Sequence, residues 1–171
     1  SNEMAKHFAP AIQDSGAVFI DNSSAFRLRE DVPLVVPEIN PEDAFQHHGI
    51  VANPNCSTII TMVALGGIRR LTAIDKMVAC TYQAVSGAGQ QGITELQDQL
   101  RAVTLGEPVQ PHVFPCQIVS NVIPQIGSEC DNGYTTEEMK MQNEGRKIMH
   151  LPELKVSCTC LLYTSDAADD K

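Results

Sequence analysis

A cysteine in a polar turn is the residue with the clearest potential for chemistry. Cys56 stands in the run Asn53-Pro54-Asn55-Cys56-Ser57-Thr58, between a short apolar strand pattern and a long apolar run. Asn or Ser suits the N-cap of a helix, which places Cys56 in or near the first turn. Unpaired backbone N–H groups and the helix dipole stabilise a thiolate there, and the same N–H groups can bind an oxyanion. A buried structural cysteine fits this motif equally well, so both interpretations stay open.

A second candidate is the small-residue loop Ser86-Gly87-Ala88-Gly89, which follows Gln83 at the end of a predicted strand. Small residues let a ligand approach the backbone closely, and an amide can orient a carboxylate or a carbonyl. The loop does not match the dinucleotide-binding pattern G-x-G-x-x-G. By itself this pattern favours an ordinary turn with a surface glutamine.

Charged residues at helical spacing form a third group. Glu137, Lys140, Glu144 and Lys147 lie on one face of a predicted helix. Such spacing favours a solvated ladder of ion pairs, each worth roughly 0.2–0.5 kcal/mol. Arg27 and Arg29 flank Leu28 after a polar loop, where either arginine holds an anionic substrate or faces water.

The remaining cysteines and the histidines suggest no metal centre. Cys158 and Cys160 point to one face of a predicted strand, but no His stands at zinc-ligand spacing. We therefore expect no metal, and small buried hydrophobes in place of a disulfide framework. The sequence positions of the five histidines do not identify any of them as the base for Cys56.

These residues require helices and strands that present them. Helices are predicted around 5–12, over 59–71, along the apolar stripe Ile93, Leu96, Leu100 and Val103, and over 135–149, where Thr135-Thr136-Glu137-Glu138 fits a capping box. We expect Gly66-Gly67 to weaken or break the second helix. Strands are predicted at 17–20, 49–52, 77–82 and 154–160. A helix, a continuous apolar strand and a polar loop together predict a parallel α/β sheet with ligands beyond its strand ends.

Composition excludes several classes of protein. The 171 residues are 43% hydrophobic, with a net charge of -9 and a pI near 4.9. No basic stripe is present to neutralise phosphates, so we expect no nucleic-acid partner. No apolar stretch approaches the roughly 20 residues that span a bilayer, and no signal peptide is visible. We expect a cytoplasmic protein without membrane contact.

Six motifs in order resemble one family, the aspartate-semialdehyde dehydrogenases of the bacterial type. The motifs are residues 18–27 (VFIDNSSAFR), 31–38 (DVPLVVPE), 53–58 (NPNCST), 81–89 (TYQAVSGAG), 121–126 (NVIPQI) and the helix with 137–140 (EEMK). The resemblance implies an NADP-dependent enzyme that reduces aspartyl phosphate to aspartate semialdehyde through a Cys56 acyl-thioester. It also implies a place in lysine, threonine, methionine and diaminopimelate biosynthesis, and a homodimer or homotetramer.

The same resemblance assigns roles to particular residues. Asn55 would support Cys56, and Gln83 and Glu137 would orient the amino-acid substrate. Arg27 and Lys140 would hold phosphate. Ser86 and Gly87 would lie against the cofactor, while Glu144 and Lys147 keep their place on a solvated face.

The resemblance also predicts the fold and its limits. Residues 1–55 should end a Rossmann-like NADP-binding domain, and 56–160 should belong to an α+β catalytic and dimerisation domain with a mixed sheet. The Gly-rich cofactor cradle of the family has no counterpart here, and Leu162 stands where the family has a substrate Arg, before its acid/base His. We expect 161–171 to be a non-native tail, and the chain to be an internal fragment that is inactive as it stands.

Three alternatives remain. An acetylglutamyl-phosphate reductase shares the fold and the thioester chemistry, but its cysteine is expected in a Gly-Cys-Tyr-Pro context. A non-catalytic dimerisation fragment would show no turnover. A cysteine hydrolase would cleave esters without a cofactor, although the sequence offers it no base.

Overall fold

The computed structural model describes residues 1–164 as helices, strands and connecting loops. The helices are α1 (Asn2–Asp14), α2 (Cys56–Arg69), α3 (Gln90–Leu105) and α4 (Thr136–Ile148), with short 3-10 helices at Pro41–Gln46 and Val85–Ala88. The strands are β1 (Phe19–Asp21), β2 (Ile50–Ala52), β3 (Lys76–Gln83), β4 (Val122–Ile123) and β5 (Lys155–Tyr163). Parallel β1–β2 and antiparallel β4–β5 pairs both occur, which confirms the predicted mixed α/β class. In the described part, no helix is long and apolar enough to cross a membrane.

The chain forms two compact units. The first contains Ser1–Ala79 and Met139–Ser157, and the second contains Cys80–Glu138 and, among the described residues, 158–164. The predicted domain division after residues 55 and 160 stays a prediction. Residues 165–171 of the predicted tail lie outside the described residues.

The first unit pairs β1 with β2 in parallel, with Phe19 opposite Ile50 and Asp21 opposite Ala52. The loop after β1 is held by Asp21, whose carboxylate accepts the Ser23 N–H and hydroxyl at 3.0 and 2.9 Å. Such side-chain to backbone bonds suit Asp and Ser at the end of a strand. The predicted strands and polar loop are thereby confirmed.

Helix α2 begins at Cys56 with Asn55 as its N-cap, as the N-cap pattern predicts, although the apolar run itself starts only at Ile59. It differs from its prediction at the glycine pair, because it continues through Gly66 and Gly67 without a break. A Cβ atom at Gly66 would lie 2.1 Å from Ile39 Cδ1, whereas one at Gly67 would meet nothing within 4 Å. Gly66 therefore allows a close approach, and tertiary packing outweighs the low helix propensity of the glycine pair.

Helix α4 begins with the predicted capping box. The Thr135 hydroxyl accepts the Glu138 N–H at 3.3 Å, and the Glu138 carboxylate accepts the Thr135 N–H at 2.7 Å. Further along, the backbone of α4 at Gly145 lies against Met62 of α2, because a Cβ atom there would be 3.1 Å from Met62 Cε. The two helices are therefore closely packed in the core of the first unit.

The second unit has its own core around α3, and this core departs from the predicted stripe. Leu96 is buried and Ile93 packs against the core, but Leu100 and Val103 are about half exposed in this chain. The buried polar positions on α3 are Glu95 and Gln99. Their side chains accept backbone N–H groups from the loop 112–119, which explains why polar residues replace part of the apolar stripe. The core consists of Val85, Leu96, Phe114, Ile118, Val119, Ile123 and Leu162.

Candidate active site

The first turn of α2 presents the candidate nucleophile. Asn55 is the N-cap, and its Oδ1 accepts the N–H groups of Ser57 at 3.0 Å and Thr58 at 3.3 Å and the Ser57 hydroxyl at 2.6 Å. Asn55 is buried, whereas Cys56, the first helical residue, is exposed. The cap fixes the start of the helix at this residue. The thiol therefore lies at the positive end of the helix dipole, where a thiolate is stabilised.

Arg27, expected to bind phosphate, is buried in the first unit with only 7% of its surface exposed. Its Nε donates to the Asn53 carbonyl at 2.9 Å, Nη2 donates to the Asn22 carbonyl at 3.0 Å, and Nη1 donates to Glu144 Oε1 at 3.1 Å. A guanidinium has five N–H groups, so two remain for an anion.

Arg29, the neighbouring cation, lies at the surface, which is the second of the two placements that the sequence allowed for Arg27 and Arg29. It pairs with Asp31 at the surface and lies over the Phe26 ring, 5.5 Å from the ring centroid. Its hydrogen bond with Asp31 raises the pKa of Arg29 and lowers the pKa of Asp31. Arg29 therefore faces water as half of a surface ion pair.

Glu144 contradicts the expectation of a solvated ion-pair ladder. It is 2% exposed, and its Oε2 accepts the backbone N–H of Asn55 at 2.7 Å while Oε1 accepts from Arg27. Burial raises the pKa of this carboxyl, and the Asn55 N–H and the Arg27 guanidinium oppose that shift. Glu144 thus joins the backbone before Cys56 to the guanidinium of Arg27.

Lys147 also departs from the predicted solvated face. Its Nζ donates to three backbone carbonyl oxygens, those of Arg27 at 3.0 Å, Arg29 at 2.6 Å and Val32 at 2.7 Å. Burial lowers the pKa of Lys147, and nearby acids, first Asp31, partly offset this effect. The ammonium group therefore anchors the chain segment that carries Arg27.

A signal for the burial of Glu144 was present in the sequence. Glu144 stands three residues after Met141 and four before Ile148, and both of these apolar side chains are fully buried. Residues at these spacings share one helix face. A carboxylate between two core residues indicates a buried acid with a hydrogen-bond partner. The spacing of the charged residues, considered alone, predicts an exposed ion pair instead.

Lys140 lies on α4 one turn before Glu144 and is half-buried. Residues four apart share one face of a helix, and the positive charge of Lys140 lowers the pKa of the Glu144 carboxyl. Arg27, Asn55, Cys56 and Lys140 all belong to the first unit, and Glu144 is hydrogen-bonded to two of them, Arg27 and Asn55.

Gln83 and Glu137 meet in the second unit. Gln83 Nε2 donates to Glu137 Oε1 at 3.3 Å, and the Thr81 hydroxyl donates to Gln83 Oε1 at 3.0 Å. Glu137 is 6% exposed. The fixed amide and the carboxylate are a pair able to orient a polar, cationic ligand.

Ser86 and Gly87 lie in the 3-10 helix that follows β3. Ser86 is half-buried, and Gly87 is exposed with no atom within 4 Å of an added Cβ. The backbone at Gly87 is therefore open to close approach by a ligand, as the loop composition predicts.

The other thiols and imidazoles form no metal centre in the described part, where no group of three or more His, Cys, Asp or Glu is placed to hold a metal ion. Cys158 and Cys160 point to the same face of β5, with their sulfur atoms 3.6 Å apart. The hydrogen bond with Cys160, together with burial, raises the pKa of Cys158. His150 pairs with Asp43 at 3.0 Å, and His47 Nδ1 accepts the Gly49 N–H at 3.0 Å.

The sequence of the chain matches two family models and several known proteins. Residues 1–47 match the family model "Semialdehyde dehydrogenase, NAD binding domain", and residues 65–163 match "Semialdehyde dehydrogenase, dimerisation domain". Aspartate-semialdehyde dehydrogenases of Bacillus subtilis and Aquifex aeolicus are 48% and 50% identical to the chain, over 92% of it in each case. These alignments cover 48% and 47% of the relatives, so the chain spans about half of their length.

A solved structure has the same fold. The crystal structure of aspartate semialdehyde dehydrogenase II from Vibrio cholerae, complexed with ASA, superposes with a TM-score of 0.94 at 44% identity. The match covers 96% of this chain and 50% of the other.

Proposed function

This chain belongs to the semialdehyde dehydrogenase family, and we propose that, within the full-length enzyme, it reduces aspartyl phosphate to aspartate semialdehyde with NADPH. The observation that carries this proposal is the exposed Cys56 thiol at the capped start of α2. The residue before it, Asn55, donates its backbone N–H to the Glu144 carboxylate, which also pairs with Arg27. The identity to aspartate-semialdehyde dehydrogenases supports the choice of substrate.

The chemistry begins with the Cys56 thiolate. Its sulfur attacks the acyl carbon of aspartyl phosphate, the carbon–oxygen bond to phosphate breaks, and inorganic phosphate leaves. NADPH, when bound, would supply the hydride for the acyl carbon of the resulting thioester, and a proton would then complete the thiohemiacetal on Cys56. The carbon–sulfur bond then breaks, which releases the aldehyde and regenerates the thiol. In the reverse direction the thioester is cleaved by phosphate.

Residues of the first unit bind the phosphate and place the thiol. Arg27 has two N–H groups left for phosphate oxygens, and Lys140 adds a second cation. Asn55 holds the first turn of α2, whose backbone N–H groups stabilise the negative charge that develops on the attacked carbonyl oxygen.

Residues of the second unit bind the amino-acid part and the cofactor. Glu137 pairs with the substrate ammonium, and Gln83, already bonded to Glu137, orients the substrate. Ser86 and Gly87 would hold NADP, and the open backbone surface at Gly87 supports this role. The enzyme acts as a homodimer or homotetramer in the synthesis of lysine, threonine and methionine, and the dimerisation-domain match supports self-association.

The test uses the full-length protein and two cysteine variants. Cys56→Ser is expected to lower turnover of aspartate semialdehyde, NADP and phosphate by at least about 10⁴-fold, because the acyl-thioester cannot form. Cys116→Ser removes another exposed thiol and should keep wild-type turnover. Full activity of Cys56→Ser would refute the proposal. Turnover of N-acetylglutamate semialdehyde, with none of aspartate semialdehyde, would favour the reductase alternative.

A further inference from the structure

We propose that Glu144 is a positioning residue that aligns the Cys56 thiol and the Arg27 guanidinium for the two steps they serve. This inference rests on the function proposed above. Glu144 is 2% exposed, and each carboxylate oxygen has one donor: Arg27 Nη1 at 3.1 Å and the Asn55 N–H at 2.7 Å. One buried side chain therefore connects the arginine to the peptide immediately before the nucleophile.

The position requires a carboxylate of this length. Both of its partners are donors, and an ionised carboxylate offers only acceptors. Glutamine at 144 would satisfy one partner and turn its own N–H₂ group towards the other. Aspartate would keep the charge but is shorter by one methylene group, so it cannot span both donors at these distances.

The helix that carries Glu144 is itself held against both partners. One turn later, Lys147 donates to the carbonyl oxygens of Arg27, Arg29 and Val32, which fixes the segment containing Arg27. On the adjacent position, Gly145 lets α4 approach Met62 of α2, the helix that begins at Cys56. Glu144 therefore links two anchored segments, and its loss changes their relative position and not merely the local charge.

This arrangement predicts a distinctive kinetic signature in the oxidative direction. Without phosphate, aspartate semialdehyde and NADP give a burst of NADPH whose rate reports thioester formation at Cys56. Added phosphate then cleaves the thioester at a rate that depends on Arg27. Glu144→Gln should slow both steps by about 10- to 100-fold, the effect of losing a hydrogen bond between charged, buried groups. Arg27→Lys should slow only the second step.

The amplitude of the burst distinguishes a slower reaction in folded enzyme from a smaller amount of folded enzyme. The amplitude counts competent sites, so the two rate constants refer to folded enzyme alone. Glu95→Gln is the matched control, because Glu95 is also a buried helical carboxylate that accepts backbone N–H groups, those of His112 and Phe114 among them. The Glu95→Gln variant should form the thioester, and cleave it with phosphate, at the same rates per competent site as the unsubstituted enzyme.

The outcomes are distinct. Wild-type rates for both steps in Glu144→Gln would overturn the inference, as would an equal loss in Glu95→Gln. If Glu144→Gln gives no folded protein, Glu144→Asp decides: both steps slowed support the role, and wild-type rates refute it. Absence of any burst from the unsubstituted enzyme would overturn the proposed function, and this inference with it.

Discussion

Gln83 Nε2 donates a hydrogen bond to Glu137 Oε1 at 3.3 Å, which joins the end of β3 to the first turn of α4 across 54 residues of sequence. Glu137 is buried, so its carboxylate is largely shielded from bulk water and its interaction with a charged group is weakly screened. The pair gives the proposed substrate site both a fixed carboxylate and a fixed amide.

Replacing Glu137 tests the substrate side of this pair. Glu137→Gln should raise KM for aspartate semialdehyde about 10-fold or more, because a charge-assisted bond to the ammonium is lost while Gln83 keeps an acceptor. KM for NADP should stay unchanged. Steady-state kinetics of the full-length enzyme measure both constants, with the exposed Glu129→Gln as control. Equal rises in the two constants would argue against a specific role.

Asn55 makes the start of α2 a target for a stability measurement. Asn55→Ala removes the acceptor of the Ser57 and Thr58 N–H groups and should lower the free energy of unfolding by about 1–2 kcal/mol. Asn55→Asp keeps an accepting oxygen and should lose less. Urea denaturation compares the three proteins. An alanine variant as stable as the parent would mean that the cap contributes nothing.

Gly87 separates cofactor binding from folding. Because no atom lies within 4 Å of an added Cβ, Gly87→Ala should leave the melting temperature unchanged. The added methyl group would crowd the proposed cofactor surface and should raise KM for NADP several-fold, with KM for phosphate constant. Thermal unfolding and steady-state kinetics check the two parts. Unaltered KM for NADP would remove Gly87 from the cofactor site.

The glycine pair of α2 provides an internal comparison. Gly67→Ala should raise the free energy of unfolding by about 0.5–1 kcal/mol through helix propensity, since its Cβ would meet nothing. Gly66→Ala should gain less or lose stability, because its Cβ would lie 2.1 Å from Ile39 Cδ1. Urea denaturation of both variants gives the difference. A larger gain at Gly66 than at Gly67 would contradict the packing argument.

Glu144 should give a measurable pH dependence of stability. Burial raises its folded-state pKa above the ordinary value of 4.5, so the folded protein holds a proton that the unfolded chain releases. The stabilising contribution of this protonation is fully present below the unfolded pKa and is lost as pH rises through the folded pKa. The stability of wild type relative to Glu144→Gln should therefore fall above about pH 4.5 and then level off. Urea denaturation across pH 4–8 tests this, and a constant difference would exclude the shift.

Local structure was largely predictable because it depends on neighbouring residues. The capping box at Thr135 and Glu138, the strand before Asp21 and the helix start at Asn55 all occur where their patterns indicate. Each depends on hydrogen bonds or steric preferences over four residues or fewer. The break expected at Gly66-Gly67 was wrong because Ile39, a distant residue, packs there.

The sequence by itself determined the family and the place of Cys56 at the start of a helix, since these follow from motifs and local chemistry. Only the tertiary structure decided what surrounds that thiol's helix. Glu144 lies 89 residues from Asn55 and 117 from Arg27, and its contacts form because α4 packs against α2 with the carboxylate turned inward. Charge spacing along one helix cannot distinguish such a buried bridge from a solvated ion pair, because the difference depends on burial.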